Sequence, residues 1–157
     1  MYQVFAVTAA LRLGVLLFWT VPQKIKAQVI AGMPVEVPQD QGGIEFDGVD
    51  DYFAIPLDSP EGNYTYELWV KTDAKSGGIS SVRRPTFGGD HDRNLWYEEG
   101  ELSHRIWSEE IIKGSIPPIS DGNWHHIAVT LGKGHQLYLD GKLVAKGSKN
   151  SSDFNWD

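Results

Sequence analysis

Alternation of apolar and polar residues dominates the chain from residue 43 onward. Trp124 to Leu131 interleaves Trp124, His126, Ala128 and Thr130 with His125, Ile127, Val129 and Leu131. A period of two over that length predicts a strand, and apolar groups in both sets predict cover on both faces. Just beyond, residues 136–139 and 142–145 flank Asp140-Gly141. This is a hairpin signal, because a type I′ turn needs positive φ at both central residues. The same reading places strands at 43–46, 52–55, 64–71, 79–82, 94–97 and 102–107, separated by Gly, Asp, Asn and Pro. Beyond the first residues nothing sustains a helical period, and no internal repeat occurs. Many short strands with close turn signals predict an all-β sandwich or jelly roll.

Residues 1–28 read differently. Residues 4–10 are mostly apolar, Arg12 interrupts, and residues 13–21 form a compact apolar run closed by Pro22. That length fits the h-region of a signal peptide, with cleavage near Ala27, better than a span of about 20 apolar residues. An uncleaved membrane anchor over 4–21 and a buried N-terminal strand or helix are the alternatives. Residues 29–41 form a leader containing prolines, and the domain itself runs over 42–157.

Three segments carry a family resemblance. GGIEFDGVDDYFAIP (42–56), YTYELWVKTD (64–73, with Trp69 as the buried aromatic) and DGNWHHIAVT with LYLDGKLVA (within 121–145) stand in order. Together they resemble the laminin-G-like, concanavalin-A-like lectin/glucanase jelly rolls. The resemblance implies a two-sheet antiparallel sandwich that is secreted or displayed at the cell surface. It also implies binding to a carbohydrate, a glycoconjugate or a protein, often with one calcium ion. Domains of this kind continue past the last hairpin with a closing strand. The chain ends at Asp157, so a C-terminally truncated domain is expected. Otherwise an open edge is completed by the leader, a second copy or a partner.

The family pattern is loosest over 88–107, which makes this the expected ligand site. Turn residues at 98–101 predict a hairpin that pairs Tyr97 with Leu102. Leu95, Tyr97, Leu102, His104 and Ile106 then share one face, and Asp92, Asn94, Trp96, Ser103, Arg105 and Trp107 the other. The second face joins aromatic rings, which stack on a sugar, to groups that bond its hydroxyls. Asp92, Asn94, Trp96, Arg105 and Trp107 are the candidate ligand-binding residues. The competing reading packs Trp96 and Trp107 beneath a loop or against the second sheet.

Asp90, Asp92 and Asn94 are the candidate calcium ligands. Glu101 completes an EF-hand-like spacing, but Leu95 stands where the sharp turn of such a loop needs glycine. A solvated turn, with Asp and Asn capping their own backbone, is the equal alternative. Glu45, Asp47 and Asp50 approximate the E-x-D-x-x-E of laminarinase-type hydrolases, yet Gly48 ends the strand and the last residue is Asp. No enzyme activity is expected. Glu98-Glu99 and Glu109-Glu110 are adjacent pairs, most simply solvated. His125 and His126 point apart in a strand and cannot share a metal.

Charge narrows the partners. The 157-residue chain carries a formal charge of -7, which disfavours nucleic acid and anionic membrane. It contains no cysteine, which excludes disulfides and thiolate zinc sites.

Overall fold

The computed structural model describes residues 4–8, 12–16, 44–48, 51–56, 61–83, 91–106 and 110–151. Among them are β1 (Val4–Thr8), β2 (Arg12–Leu16), β3 (Ile44–Asp47), β4 (Tyr52–Pro56), β5 (Tyr64–Lys71) and β6 (Ser76–Arg83). β7 (His91–Glu98), β8 (Glu101–Ile106), β9 (Glu110–Ser115), β10 (Trp124–Leu131), β11 (Gln136–Leu139) and β12 (Lys142–Lys146) follow. They form two six-stranded sheets, ordered β4-β1-β6-β7-β8-β9 and β12-β11-β10-β5-β2-β3. Every pairing within the two sheets is antiparallel.

The all-β jelly-roll expectation holds, and β5, β10 and β11 fall on the expected residues. The sheets are joined by the apolar sides of their alternating strands. Ile79, Leu95, Tyr97, Leu102 and Ile112 of one sheet meet Leu68, Val70, Ile127, Val129, Leu137 and Leu139 of the other. Each such burial contributes about 1.5–3 kcal/mol. A one-residue slip would turn a whole strand outward, so this layer also fixes register. At the β11–β12 turn, Asp140 and Gly141 have φ of 48° and 73°, the two positive values that the Asp-Gly signal predicts.

Residues 4–8 and 12–16, within the stretch expected as a signal peptide or anchor, are interior strands. β1 lies between β4 and β6, and β2 between β3 and β5. Among the described residues no helix is long and apolar enough to cross a membrane.

Strand β9, like β1 and β2, lies outside the expected strand set. It closes one side of the sandwich beside β12, where the two sheets almost touch. A Cβ on Gly114 would stand 2.5 Å from the Val144 carbonyl oxygen and 2.8 Å from its Cγ1. Only glycine allows this approach.

Candidate functional site

Strands β7, β8 and β9 present a regular outer face. The hairpin pairs Tyr97 with Leu102, Trp96 with Ser103 and Asn94 with Arg105, the expected register. β9 extends these rows, with Lys113 opposite Ser103 and Ile111 opposite Arg105. Leu95, Tyr97, Leu102, His104 and Ile106 are all buried on the inner side, which turns Asn94, Trp96, Arg105, Ile111 and Lys113 outward. Trp96 and Arg105 are half-buried, and Ile111 is 55% exposed. The Asn94 Oδ1 and the Arg105 Nε are both sheltered from solvent without a hydrogen-bond partner among the described residues. Lys113 is engaged, its Nζ lying 3.1 Å from Glu101.

Asp92 does not join this face. Val82 pairs with Asp92 and Ser80 with Leu95, so three steps on β7 match two on β6. Arg93 absorbs the extra residue with a φ of 52°. A bulge of this kind re-aims the side chains around it. Asp92 therefore shares the inner side with Leu95 and is fully buried. Its charge acts on Tyr64, Tyr66 and His135 across the sandwich. Arg93 turns inward as well, its guanidinium 5.1 Å from the Tyr64 ring centroid. Asp92 and Asn94, expected together for both ligand and calcium, thus lie on opposite sides of the sheet. Asp90 and Trp107, the remaining candidates, lie outside the described residues. Among the described residues no group of three or more His, Asp or Glu side chains is placed to hold a metal ion.

The bulge is the border of a buried polar relay that alternation does not reveal. His104 Nδ1 lies 2.6 Å from His135 Nε2, and His135 Nδ1 lies 3.0 Å from Glu110 Oε2. Both rings are fully buried. Glu110, expected as solvated, is 16% exposed. Burial pushes the Glu110 pKa up, but bonds from the Ser148 backbone, His135, the Lys149 backbone and the Ser148 hydroxyl outweigh it and hold it low. Burial pushes His135 below its ordinary value against the pull of Glu110. Burial, reinforced by His135 and Arg93, pushes His104 far down.

These conditions assign the protons. Glu110 is an ionised acceptor, so the neutral His135 carries its hydrogen on Nδ1 and accepts at Nε2. His104 must then donate from Nδ1, which leaves its Nε2 a bare lone pair. That atom is buried and lacks a partner among the described residues. The Tyr66 ring stands 5.8 Å from His104. Its hydroxyl neighbours Ser80 without hydrogen-bond geometry. With both rings closed to solvent, the relay ties strands together rather than meeting a substrate.

The DGNWHH…YLDG stretch forms a second cluster, at the surface. His125 lies 2.9 Å from Asp140 through Nδ1 and 3.2 Å from Asp121 through Nε2. Asp140 also accepts from the His126 backbone N–H at 2.9 Å. His126 turns the other way, 3.3 Å from Glu67 and 5.2 Å from the Trp69 ring. The cluster thus joins the approach to β10 with the β11–β12 turn, and its residue types are explained by that structural task.

A family model described as the concanavalin A-like lectin/glucanase superfamily matches residues 47–157. The chain belongs to this superfamily. No curated protein and no solved structure gives a significant match. The superfamily contains both lectins and glucanases by its own description, so chemistry must be argued from the carboxylates themselves. Glu45 and Asp47, the glucanase-like pair, lie exposed on strand β3, at the end of its sheet in the described order. The Asp51 carboxylate accepts from the Asp47 backbone N–H at 3.0 Å, as in a locked turn. Asp50 lies outside the described residues. For this superfamily member the outer face of β7–β9 therefore remains the better-built surface.

Proposed function

We propose that the protein is a non-catalytic carbohydrate-binding module, with the outer face of β7–β9 as its binding surface. One observation carries this reading. Asn94 and Arg105, directly paired, hold a sheltered acceptor and a sheltered donor that no described residue bonds. Half-buried Trp96 stands one row away. Unbonded polar atoms out of water are costly, and sugar hydroxyls both donate and accept. A pyranose ring stacked on Trp96 would bring hydroxyls to Asn94 and Arg105. Calcium has no part in this reading, because Asp92 and Asn94 diverge across the sheet. An extracellular location belongs to the proposal and rests on the resemblance.

The test is a glycan array probed with the full chain and with Trp96→Ala. Retained β-structure with lost glycan signal is the expected result. Undiminished signal would remove this face from the account. A second reading, protein binding through a sheet edge, draws on β4, where Tyr52 is 60% exposed. A silent array together with self-association in size exclusion would favour it over the glycan reading.

A further inference from the structure

The chemistry of Arg105 narrows the class of sugar, on the basis of the glycan-binding reading of the same face. We propose that this face selects a sugar bearing an anionic group, a uronic acid carboxylate or a sulfate ester, with Arg105 as the residue that meets the charge. A guanidinium is charged at every physiological pH. In a folded protein a partly withdrawn cation is normally matched by a carboxylate. The other cations of this region follow that pattern. Lys113 lies 3.1 Å from Glu101, and Arg93 lies 3.6 Å from Asp92. Arg105 is half-buried and has no such partner among the described residues. Its Nε–H is shielded from water and bonds to none of the described residues. The counter-charge is therefore expected to arrive with the ligand.

Register gives the site a direction. Asn94, Arg105 and Ile111 form one row, and Trp96, Ser103 and Lys113 the next. Rows on one face are about 7 Å apart along a strand, the scale of one sugar ring and its substituent. A ring over Trp96 places an acidic substituent toward Arg105, with Asn94 beside it to accept from a hydroxyl. Among the described residues the acidic side chains of this face lie at the far end, where Glu98 pairs with Glu101. Glu101 is four residues, about 13 Å, from Arg105 along β8. That exceeds the screening length of about 8 Å in physiological salt, so the acidic character of the whole chain does not decide binding here. The planar fork of arginine suits two-oxygen contact with a carboxylate or sulfate.

The experiment is calorimetric titration of the full chain with matched probes. One pair is hexagalacturonate and the same oligosaccharide with its carboxyls reduced to alcohols. The other is a sulfated galactan and its desulfated form. At physiological salt, at least one acidic probe should bind about tenfold or more tightly than its neutral match, and the pattern of pairs distinguishes carboxylate from sulfate. Arg105→Gln should erase that difference, weakening the acidic probe far more than its neutral match, with the urea midpoint unchanged. Arg105→Lys should recover only part of it. Equal affinity for both members of both pairs would overturn this inference and leave the glycan reading standing, as would an equal loss for both in Arg105→Gln. No binding of any probe, joined to a silent array, would remove the glycan reading and this inference with it.

Discussion

Glu110→Gln tests the buried relay with almost no change of volume. The carboxylate accepts from His135 Nδ1 at 3.0 Å, Ser148 N at 2.7 Å, Ser148 Oγ at 3.1 Å and Lys149 N at 3.2–3.3 Å. An amide places an NH2 where one oxygen accepts. If it replaces Oε2, it faces the Nδ1–H of a fully buried ring, at about 1–3 kcal/mol. If it replaces Oε1, the Ser148 backbone N–H loses its acceptor while the Lys149 N–H keeps Oε2. The Ser148 N–H is open to water, so its share is about 1 kcal/mol. Reversing both histidine tautomers would re-pair His135 but leave His104 Nε2–H buried without an acceptor. The amide takes the cheaper orientation, and its remaining bonds are no longer charge-assisted, so a loss of about 1–3 kcal/mol follows, which for a chain of this length lowers Tm by roughly 2–12 °C. Urea unfolding followed by tryptophan fluorescence measures it, with an unchanged m-value as the two-state check. Glu101→Gln is the control. Its partner Lys113 is 61% exposed, and such a surface pair contributes about 1 kcal/mol at most. If Glu110→Gln lost no more than this control, the relay would not be a stabilising unit and its proton assignment would fail.

Two further outcomes test the same structure. A Cβ on Gly147 would collide with the Glu110 carboxylate, so Gly147→Ala should cost about 1–3 kcal/mol. Its effect should fall well short of additive with Glu110→Gln, and full additivity in a double-mutant cycle would contradict the shared latch. Stability should also peak near neutral pH. His104 and His135 titrate below their ordinary value in the folded chain, so the unfolded chain binds more protons and stability falls as pH drops below about 6.5. Glu110, held low, adds a loss as pH falls below its ordinary 4.5. His125 acts with the opposite sign. Burial opposes its protonation, but Asp140 and Asp121 raise its pKa, so its contribution is lost as pH rises through that raised value. Urea midpoints from pH 8 to pH 4.5 should trace this peak, and His125→Asn should flatten its alkaline side alone. A flat profile from pH 7.5 to pH 5 would refute the histidine assignments.

The fold was legible because most strands bury one alternating set, and the Asp140-Gly141 turn needs only local chemistry. β9 was not, for a physical reason. Its inner positions are Glu110, Ile112 and Gly114, a relay carboxylate, a single core residue and a glycine that clears Val144, while Ile111 faces solvent. No period of two survives such a set. The hairpin register placed His104 inside and Asn94, Trp96 and Arg105 outside. It misplaced Asp92 because a bulge at a non-glycine residue with positive φ leaves no mark in the sequence. The relay was hidden differently. His104 and His135 are 31 residues apart, and no local pattern joins them or marks Glu110 as their anchor.

The latch between Glu110 and Ser148 spans 38 residues, which places it late in the order of folding events. Contacts across such separations form only after the hairpins between them have closed their shorter loops. A contact absent from the transition state leaves the folding rate nearly untouched and governs how fast the folded chain opens. The carboxylate on β9 thus acts as a brake on escape from the native state, and the lifetime of the sandwich depends on it more than the speed of its assembly does.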